Sequence, residues 1–382
     1  MSGSAAAPAR DRALRATVRP PRRDRTKLST AHALADIPLH QSNWIPALNA
    51  LLRAHNHHHS VKSKGVSFKT MHDRREFLFR FFRELREVGI NLDPRSLGNR
   101  HIRVAVALWL ERGLGAATIH NYLSFLRGLA DWIGKHGMVQ PAAYYAPERS
   151  RVRRRHVATR DKSWRTSGVD AERKIAEIAA HSEHAAVHLD LQSAFGLRMR
   201  EAIMLQPHRA VVAAAATAIA DPKCAWYLWI GGKRGSKGGR ERYVPIDSDA
   251  KRGAIERAQR LATCADAHLG YPGCSLKQSM TKLCTILRRF GITRRALGVT
   301  AHGLRHQYAN DRYAMLTGAP APVRGGPAID AATDDAARLA VAQELGHARK
   351  QIASAYLGPI PRKKRAPKAD RAALKPSRGA PP

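Results

Sequence analysis

Acidic residues are scarce in this chain. Its 382 residues carry 30 Asp+Glu against 66 Lys+Arg, a formal net charge of +36. No clustered Asp/Glu motif is present, so the carboxylate cage that holds paired metal ions in many phosphoryl-transfer enzymes is not expected. Cysteine is rare as well: Cys224, Cys264, Cys274 and Cys284 are all there is, and none forms a Cys-x-x-Cys pair. That spacing argues against zinc and for reduced, buried or half-buried thiols in a cytosolic protein. No apolar run is long enough to span a bilayer, and no secretory signal pattern opens the chain. Neither a metal, a cofactor nor a membrane is therefore expected.

What is there is positive charge, and an excess this large implies a polyanionic partner. Nucleic acid comes first, because every neutralised phosphate releases counterions; an anionic membrane surface comes second. Residues 5–25 are rich in Arg and Ala. An organellar transit peptide and a disordered basic arm share that composition, and the basic character of the rest favours the arm. The His55–His59 region reads as a polar loop, not a metal tract.

The chain divides into segments of different texture. Residues 1–41 read as a basic, disordered arm. Residues 42–140 read as a helical domain of about four helices. One apolar stripe runs through Phe77/Leu78, Phe81/Phe82, Leu85 and Val88 and ends at Gly89; another runs through Ile119, Tyr122/Leu123, Leu126, Leu129 and Ile133. Residues 141–167 form a basic linker containing Arg153, Arg154 and Arg155, a segment suited to lie along a phosphate backbone. Residues 168–358 read as a second, mostly helical domain with one β-hairpin, Trp226–Ile230 followed by a Gly-rich turn and Glu241–Ile246. Leu316–Asp330 reads as a loop, and 359–382 as a basic disordered tail. The fold class expected is mainly α (α+β).

Three short stretches carry the chemistry. His302 and Arg305, in Ala301-His302-Gly303-Leu304-Arg305-His306, are three apart, so a helix places them one turn apart on one face. His347 follows Leu345-Gly346, where glycine allows a tight turn, and Tyr356 lies nine positions further on. Upstream, Gly196-Leu197-Arg198-Met199-Arg200-Glu201 adds a second arginine. Arginine can bond two phosphate oxygens at once and stays charged, so fixed guanidiniums can do the electrostatic work of a metal. A phenol attacking phosphorus conserves the bond energy in a covalent phosphotyrosine.

These motifs resemble those of the tyrosine recombinase (phage integrase) family, over roughly residues 42–358. The matching positions are Gly196-Leu197-Arg198-x-x-Glu201 with Leu205, His302-x-Leu304-Arg305-His306, and Leu345-Gly346-His347 with Tyr356. A hairpin lysine seven residues before Val244-Pro245 falls at Lys237, with Lys233 in the same turn as the alternative. The resemblance implies a SAM-like four-helix core-binding domain ahead of a helical catalytic domain with a small antiparallel sheet. It implies that Arg198 and Arg305 clamp the scissile phosphate and that Lys237 protonates the 5′-oxygen. His302 would assist proton transfer, His347 would bond the phosphate, and Tyr356 would form a 3′-phosphotyrosine, with Glu201 orienting Arg198. It further implies a metal-independent enzyme acting on double-stranded DNA as a homotetramer, with DNA-bending or directionality factors as accessories. Its place would be the cytosol, at the nucleoid, integrating or excising a mobile element.

Type IB topoisomerase chemistry and a non-catalytic DNA-binding relative are the alternatives. Lys69, Thr118, Asn121 and Arg127 are candidate DNA contacts, joining Arg153, Arg154 and Arg155. Tyr308 and Tyr313 read as packing residues and not rival nucleophiles. The chain departs from the family's pattern by a Gly/Ala/Pro-rich insertion around Leu316–Asp334.

Overall fold

The computed structural model describes residues 29–58, 65–219, 221–232 and 240–360. The chain divides at Arg154/Arg155 into two compact units. The mainly helical class with one small antiparallel sheet is as expected.

The first unit is built on α2 (Trp44–His55), α3 (Phe68–Glu87), α4 (Asn99–Glu111) and α5 (Ala116–Trp132), preceded by a single turn, α1 (Thr30–Ala33), and followed by another, α6 (Ala142–Tyr145). The aromatic stripe of α3 forms the centre. Phe77 stacks on Tyr122 at 4.4 Å between ring centroids, and Trp109 meets Tyr122 edge-on at 5.1 Å. Ser67 caps the start of α3, and Gly89 ends it at φ 81°, a left-handed conformation that side chains resist. Trp109 fills the core and still satisfies its indole N–H, which donates to Glu84 at 3.0 Å.

Residues 29–41, expected to belong to a disordered arm, are tied to the helical unit; residues 1–28 lie outside the described residues. Thr30 Oγ1 donates to the Trp132 carbonyl at 2.5 Å, and Arg95 donates to the carbonyls of Ile37 and Pro38 at 2.8 and 2.9 Å. Leu34 joins the core at 7% exposure. A single apolar residue with distant backbone partners leaves no periodic signal, so composition alone could not separate this stretch from the basic residues before it.

The second unit contains α7 (Ala171–Ala179), α8 (Glu183–Phe195), α9 (Met199–Ile203), α10 (Pro207–Ala210), α11 (Asp249–Leu261), α12 (Leu276–Arg289), α13 (Ala301–Thr317), α14 (Ala331–Glu344) and α15 (Ser354–Leu357). Helix α8 is buried nearly all round, and α7, α11 and α13 pack against it. The sheet runs β1 (Val211–Ala213), β2 (Trp226–Ile230), β3 (Arg242–Pro245), antiparallel throughout, with Leu228 paired to Val211 on one side and Val244 on the other. The hairpin was legible in the sequence. Strand β1 was not, because Val211-Val212-Ala213 runs into three more alanines and three residues are too few to show alternation.

The insertion is more ordered in build than its composition suggests. Helix α13 continues to Thr317, and the last part of the insertion, Ala331–Asp334, is the first turn of α14, capped by Asp330. Between them Ala321 is fully buried, and Arg324 pairs with Asp161 and Asp311 at 2.7 and 2.5 Å. The thiols also differ from expectation. All four are free, but Cys264 and Cys284 are exposed and not buried.

Because Leu34 belongs to the first unit's core, Leu34→Ala is expected to lower that unit's unfolding free energy by about 2–3 kcal/mol. Urea unfolding followed by tryptophan fluorescence checks this. An unchanged midpoint would show that residues 29–41 are dispensable to the core.

Candidate active site

The site begins where α8 stops. Gly196 takes φ 61°, and a Cβ there would lie 2.6 Å from the Tyr308 ring and 2.9 Å from Leu345. Only glycine fits both the conformation and the space. The turn delivers Arg198 to the N-cap of α9, with Glu201 one turn along. Glu201 accepts the Arg198 backbone N–H at 2.8 Å and Arg198 Nη1 at 2.6 Å. A second arginine approaches from β3: Arg242 donates to the two Glu201 oxygens at 3.2 and 2.7 Å, and through Nε to the Glu344 carbonyl at 2.8 Å.

Helix α13 supplies the next group. His302 and Arg305 share its site-facing side, as their spacing predicts. Gly303 lets the helix approach its neighbour closely, since a Cβ there would stand 2.7 Å from the Lys162 carbonyl and 2.8 Å from Trp164. Arg305 is fully buried. It donates to the Gly196 carbonyl, to the Leu345 carbonyl at 2.5 Å, and through Nε to the Tyr356 hydroxyl at 3.1 Å. Arg198 Nη2 lies 3.4 Å from the same Leu345 carbonyl. Gly346, at φ 72°, then turns the chain beside Arg242 and presents His347.

Tyr356 is the meeting point. Its ring centroid lies 4.8 Å from that of His306, 6.2 Å from His302 and 6.4 Å from His347. Arg198, Glu201, His302, Arg305, His347 and Tyr356, scattered over about 160 positions of sequence, therefore converge. Lys237 and its alternative Lys233 lie outside the described residues. A cleft of about 1040 Å³ opens on the His302, His306 and Tyr356 side, with Arg160, Lys162 and Arg294 on its walls.

The electrostatics are lopsided. Burial would raise the Glu201 carboxyl, but Arg242 and Arg198 outweigh it and hold the group at about 2. His302 is pushed down to about 4, first by the surrounding protein and then by Arg305, Arg198 and Lys162. Its ring touches solvent through the cleft yet is recessed among cations. His306 falls to about 3, by burial and then by His302 and Lys162. Both imidazoles are therefore neutral near pH 7, each with a lone pair to accept a proton.

Other expectations separate on inspection. Tyr308 donates to Glu344 at 2.6 Å and Tyr313 to Asp334 at 2.5 Å, so both rival phenols are engaged in structure. Burial and then Glu344 raise the Tyr308 phenol well above its ordinary range. In the first unit Lys69 pairs with Asp73 at 2.8 Å, Thr118 is half-buried and Asn121 is exposed. Arg127 is an internal tie, donating to the carbonyls of Val139 and Gln140 at 3.2 and 2.9 Å. Arg153, Arg154 and Arg155 are exposed. Sequence reasoning missed Arg242. Its signal was an arginine on the inward side of a short, otherwise apolar strand.

In the folded protein His302 takes up a proton near pH 4, against 6.5 when unfolded. Below about pH 6.5 the unfolded chain binds that proton first, so this group lowers stability as pH falls from 6.5 towards 4. Glu201 acts the other way in origin: its contribution is complete above 4.5 and disappears as pH falls through about 2. NMR titration of the His302 ring is expected to give a midpoint near 4 in the free protein. An anionic phosphate in the site should move it upward, and an ordinary midpoint in the free protein would contradict the crowding by Arg305 and Arg198. Glu201→Ala leaves Arg242 charged and unpaired in the interior, and is expected to cost about 3–5 kcal/mol in denaturant titration.

Two family models match the chain: the one described as "Phage integrase, N-terminal" over residues 54–139, and the one described as "Integrase" over residues 160–311. The second spans Arg198, Glu201, His302 and Arg305 and ends before His347 and Tyr356. No curated protein matches. Several solved structures are similar at low identity. A lambda integrase dimer bound to a COC′ core site is 16% identical, covering 83% of this chain and 94% of that one, with a TM-score of 0.46. A lambda integrase tetramer bound to a Holliday junction is 16% identical, covering 86% and 80%, with a TM-score of 0.49. The Tn1549 transposon integrase in complex with transposon right-end DNA is 13% identical, covering 82% and 95%, with a TM-score of 0.49. With its two domain matches in order along more than half of its length and its arginine, histidine and tyrosine motifs gathered at one site, the chain belongs to the tyrosine recombinase (phage integrase) family.

Proposed function

We propose that this protein is a site-specific DNA recombinase that cuts and rejoins one strand at a time through a covalent bond to Tyr356. The observation that carries the reading is the hydrogen bond from Arg305 Nε to the Tyr356 hydroxyl at 3.1 Å, which puts a nucleophile beside a buried cation. Geometry of this kind replaces an encounter in solution with a fixed approach.

The step is a transesterification. The Tyr356 oxygen attacks the scissile phosphorus, the bond from phosphorus to the 5′-oxygen breaks, and its electron pair leaves with that oxygen. Tyr356 is left joined to the 3′-phosphate. Arg198 and Arg305 balance the charge on the non-bridging oxygens, doing electrostatically what a metal does elsewhere. Neutral His302 takes part in moving the tyrosine proton, and His347 donates to the phosphate. Lys237, from the family's pattern, protonates the departing 5′-oxygen. Attack by the 5′-hydroxyl of a second duplex reverses the step and exchanges strands. Two duplexes need four active sites, so the working assembly is a homotetramer on double-stranded DNA. Integration or excision of a mobile element in the cytosol, with DNA-bending or directionality factors, is the biological setting that fits.

The test is covalent trapping. Full-length protein incubated in EDTA with nicked DNA from the ends of its element is expected to give a denaturation-resistant adduct, absent in Tyr356→Phe. Arg305→Ala should form it about 100- to 1000-fold more slowly. Binding without any adduct would favour a non-catalytic DNA-binding protein. An adduct accompanied by relaxation of supercoils, with no exchange between two linear sites, would favour topoisomerase chemistry.

A further inference from the structure

Tyr356 rides on α15, a four-residue turn. A helix that short has no stability of its own, because nucleation costs more than one hydrogen bond returns. Its contact with Arg305 therefore depends on ties from outside. Ala158 N–H donates to the Ser354 carbonyl at 2.8 Å and Asn310 Nδ2 to the Tyr356 carbonyl at 3.4 Å, and one buried side chain reaches both ends of the turn. Arg338, on α14, is fully buried. Its Nε donates to both oxygens of Asp334, at 2.9 and 2.8 Å. Its Nη1 reaches Ser354 Oγ at 3.4 Å and the Gly358 carbonyl at 3.2 Å, and Nη2 reaches the Pro359 carbonyl at 2.9 Å. Ser354 and Gly358 bracket Tyr356 two residues to either side. Asp334 in turn accepts the Tyr313 hydroxyl at 2.5 Å, and Tyr313 lies on α13, the helix that carries His302 and Arg305.

We propose that Arg338 is the positioning residue of the nucleophile: it holds Tyr356 against Arg305 by fastening both ends of α15 to α13 through Asp334. The inference rests on the reaction proposed for Tyr356. Arg338 is sealed inside the unit and cannot touch DNA, so its effect falls on the chemical step and not on binding. Lysine keeps the charge beside Asp334 but presents one compact ammonium, which cannot span Ser354, Gly358 and Pro359 together.

In full-length Arg338→Lys, single-turnover adduct formation at saturating DNA is expected to slow by about 10- to 100-fold, with DNA affinity within about twofold of the parent, because small misplacements of a nucleophile are costly. Hydrogen exchange should quicken in residues 354–358 and stay unchanged over α8 and α13. A rate equal to the parent's overturns the proposal. So does a parallel loss of rate and affinity, or faster exchange across the whole second unit, since either marks general loosening. If Arg338→Lys does not fold, Ser354→Ala leaves the Asp334 pair intact and is read by the same rate, affinity and exchange criteria. A parent protein that forms no adduct sinks the proposed reaction and this inference together; a parent that reacts beside an equally fast Arg338→Lys sinks this inference alone.

Discussion

Glu201 has no exposed surface, yet it stays ionised because three guanidiniums surround it: Arg198 at 2.6 Å, Arg242 at 2.7 Å and Arg305 at 3.9 Å. An isolated carboxylate in that position would be strongly unfavourable, and removing any partner leaves the remainder exposed to the same penalty. Each arginine comes from a different element, the start of α9, the start of β3 and the second turn of α13. One buried anion thereby fixes three elements relative to one another. The balance of charge matters as much as the geometry. One negative group against three positive ones leaves the cluster cationic, and an interior that is already desolvated makes the excess strong.

Backbone does the rest of the positioning. Arg305 is oriented by the carbonyls of Gly196 and Leu345, each placed by a turn that only glycine makes comfortably, at Gly196 itself and at Gly346. Burial, and after it Arg305 and Arg198, depress His302, so its titration depends on the same two guanidiniums. Arg198, Arg305, His302 and Tyr356 are in this sense linked, and a change in one group alters the others.

The motif residues were legible in the sequence because they are contiguous or regularly spaced. Gly196 through Glu201, His302 through His306 and Leu345 through Tyr356 each announce themselves locally, and the helical stripes of α3 and α5 do the same by period. Arg242 and Arg338 do not. Arg242 meets Glu201 and Glu344 far along the chain, and Arg338, besides its local partner Asp334, meets Ser354, Gly358 and Pro359 beyond the end of its own helix. Strand β1 and the α1 turn escaped for a related reason, being too short to show a repeat. Arg127, on a polar helix face, donates to two nearby carbonyls that its local sequence does not announce.

By itself, then, the sequence determined the chemistry available: abundant cation, few carboxylates, one phenol in a motif with histidines and arginines, and helices to carry them. Those properties follow from residue identity and short-range periodicity, which the linear chain contains in full. Only the tertiary structure decided which arginine meets which acceptor, that His302 is depressed by burial and neighbouring cations, and that Tyr356 and not Tyr308 or Tyr313 meets Arg305 Nε. Hydrogen bonding, burial and Coulombic interaction act through space over a few ångströms, and the groups that share those distances here are separated by tens to more than a hundred residues of chain.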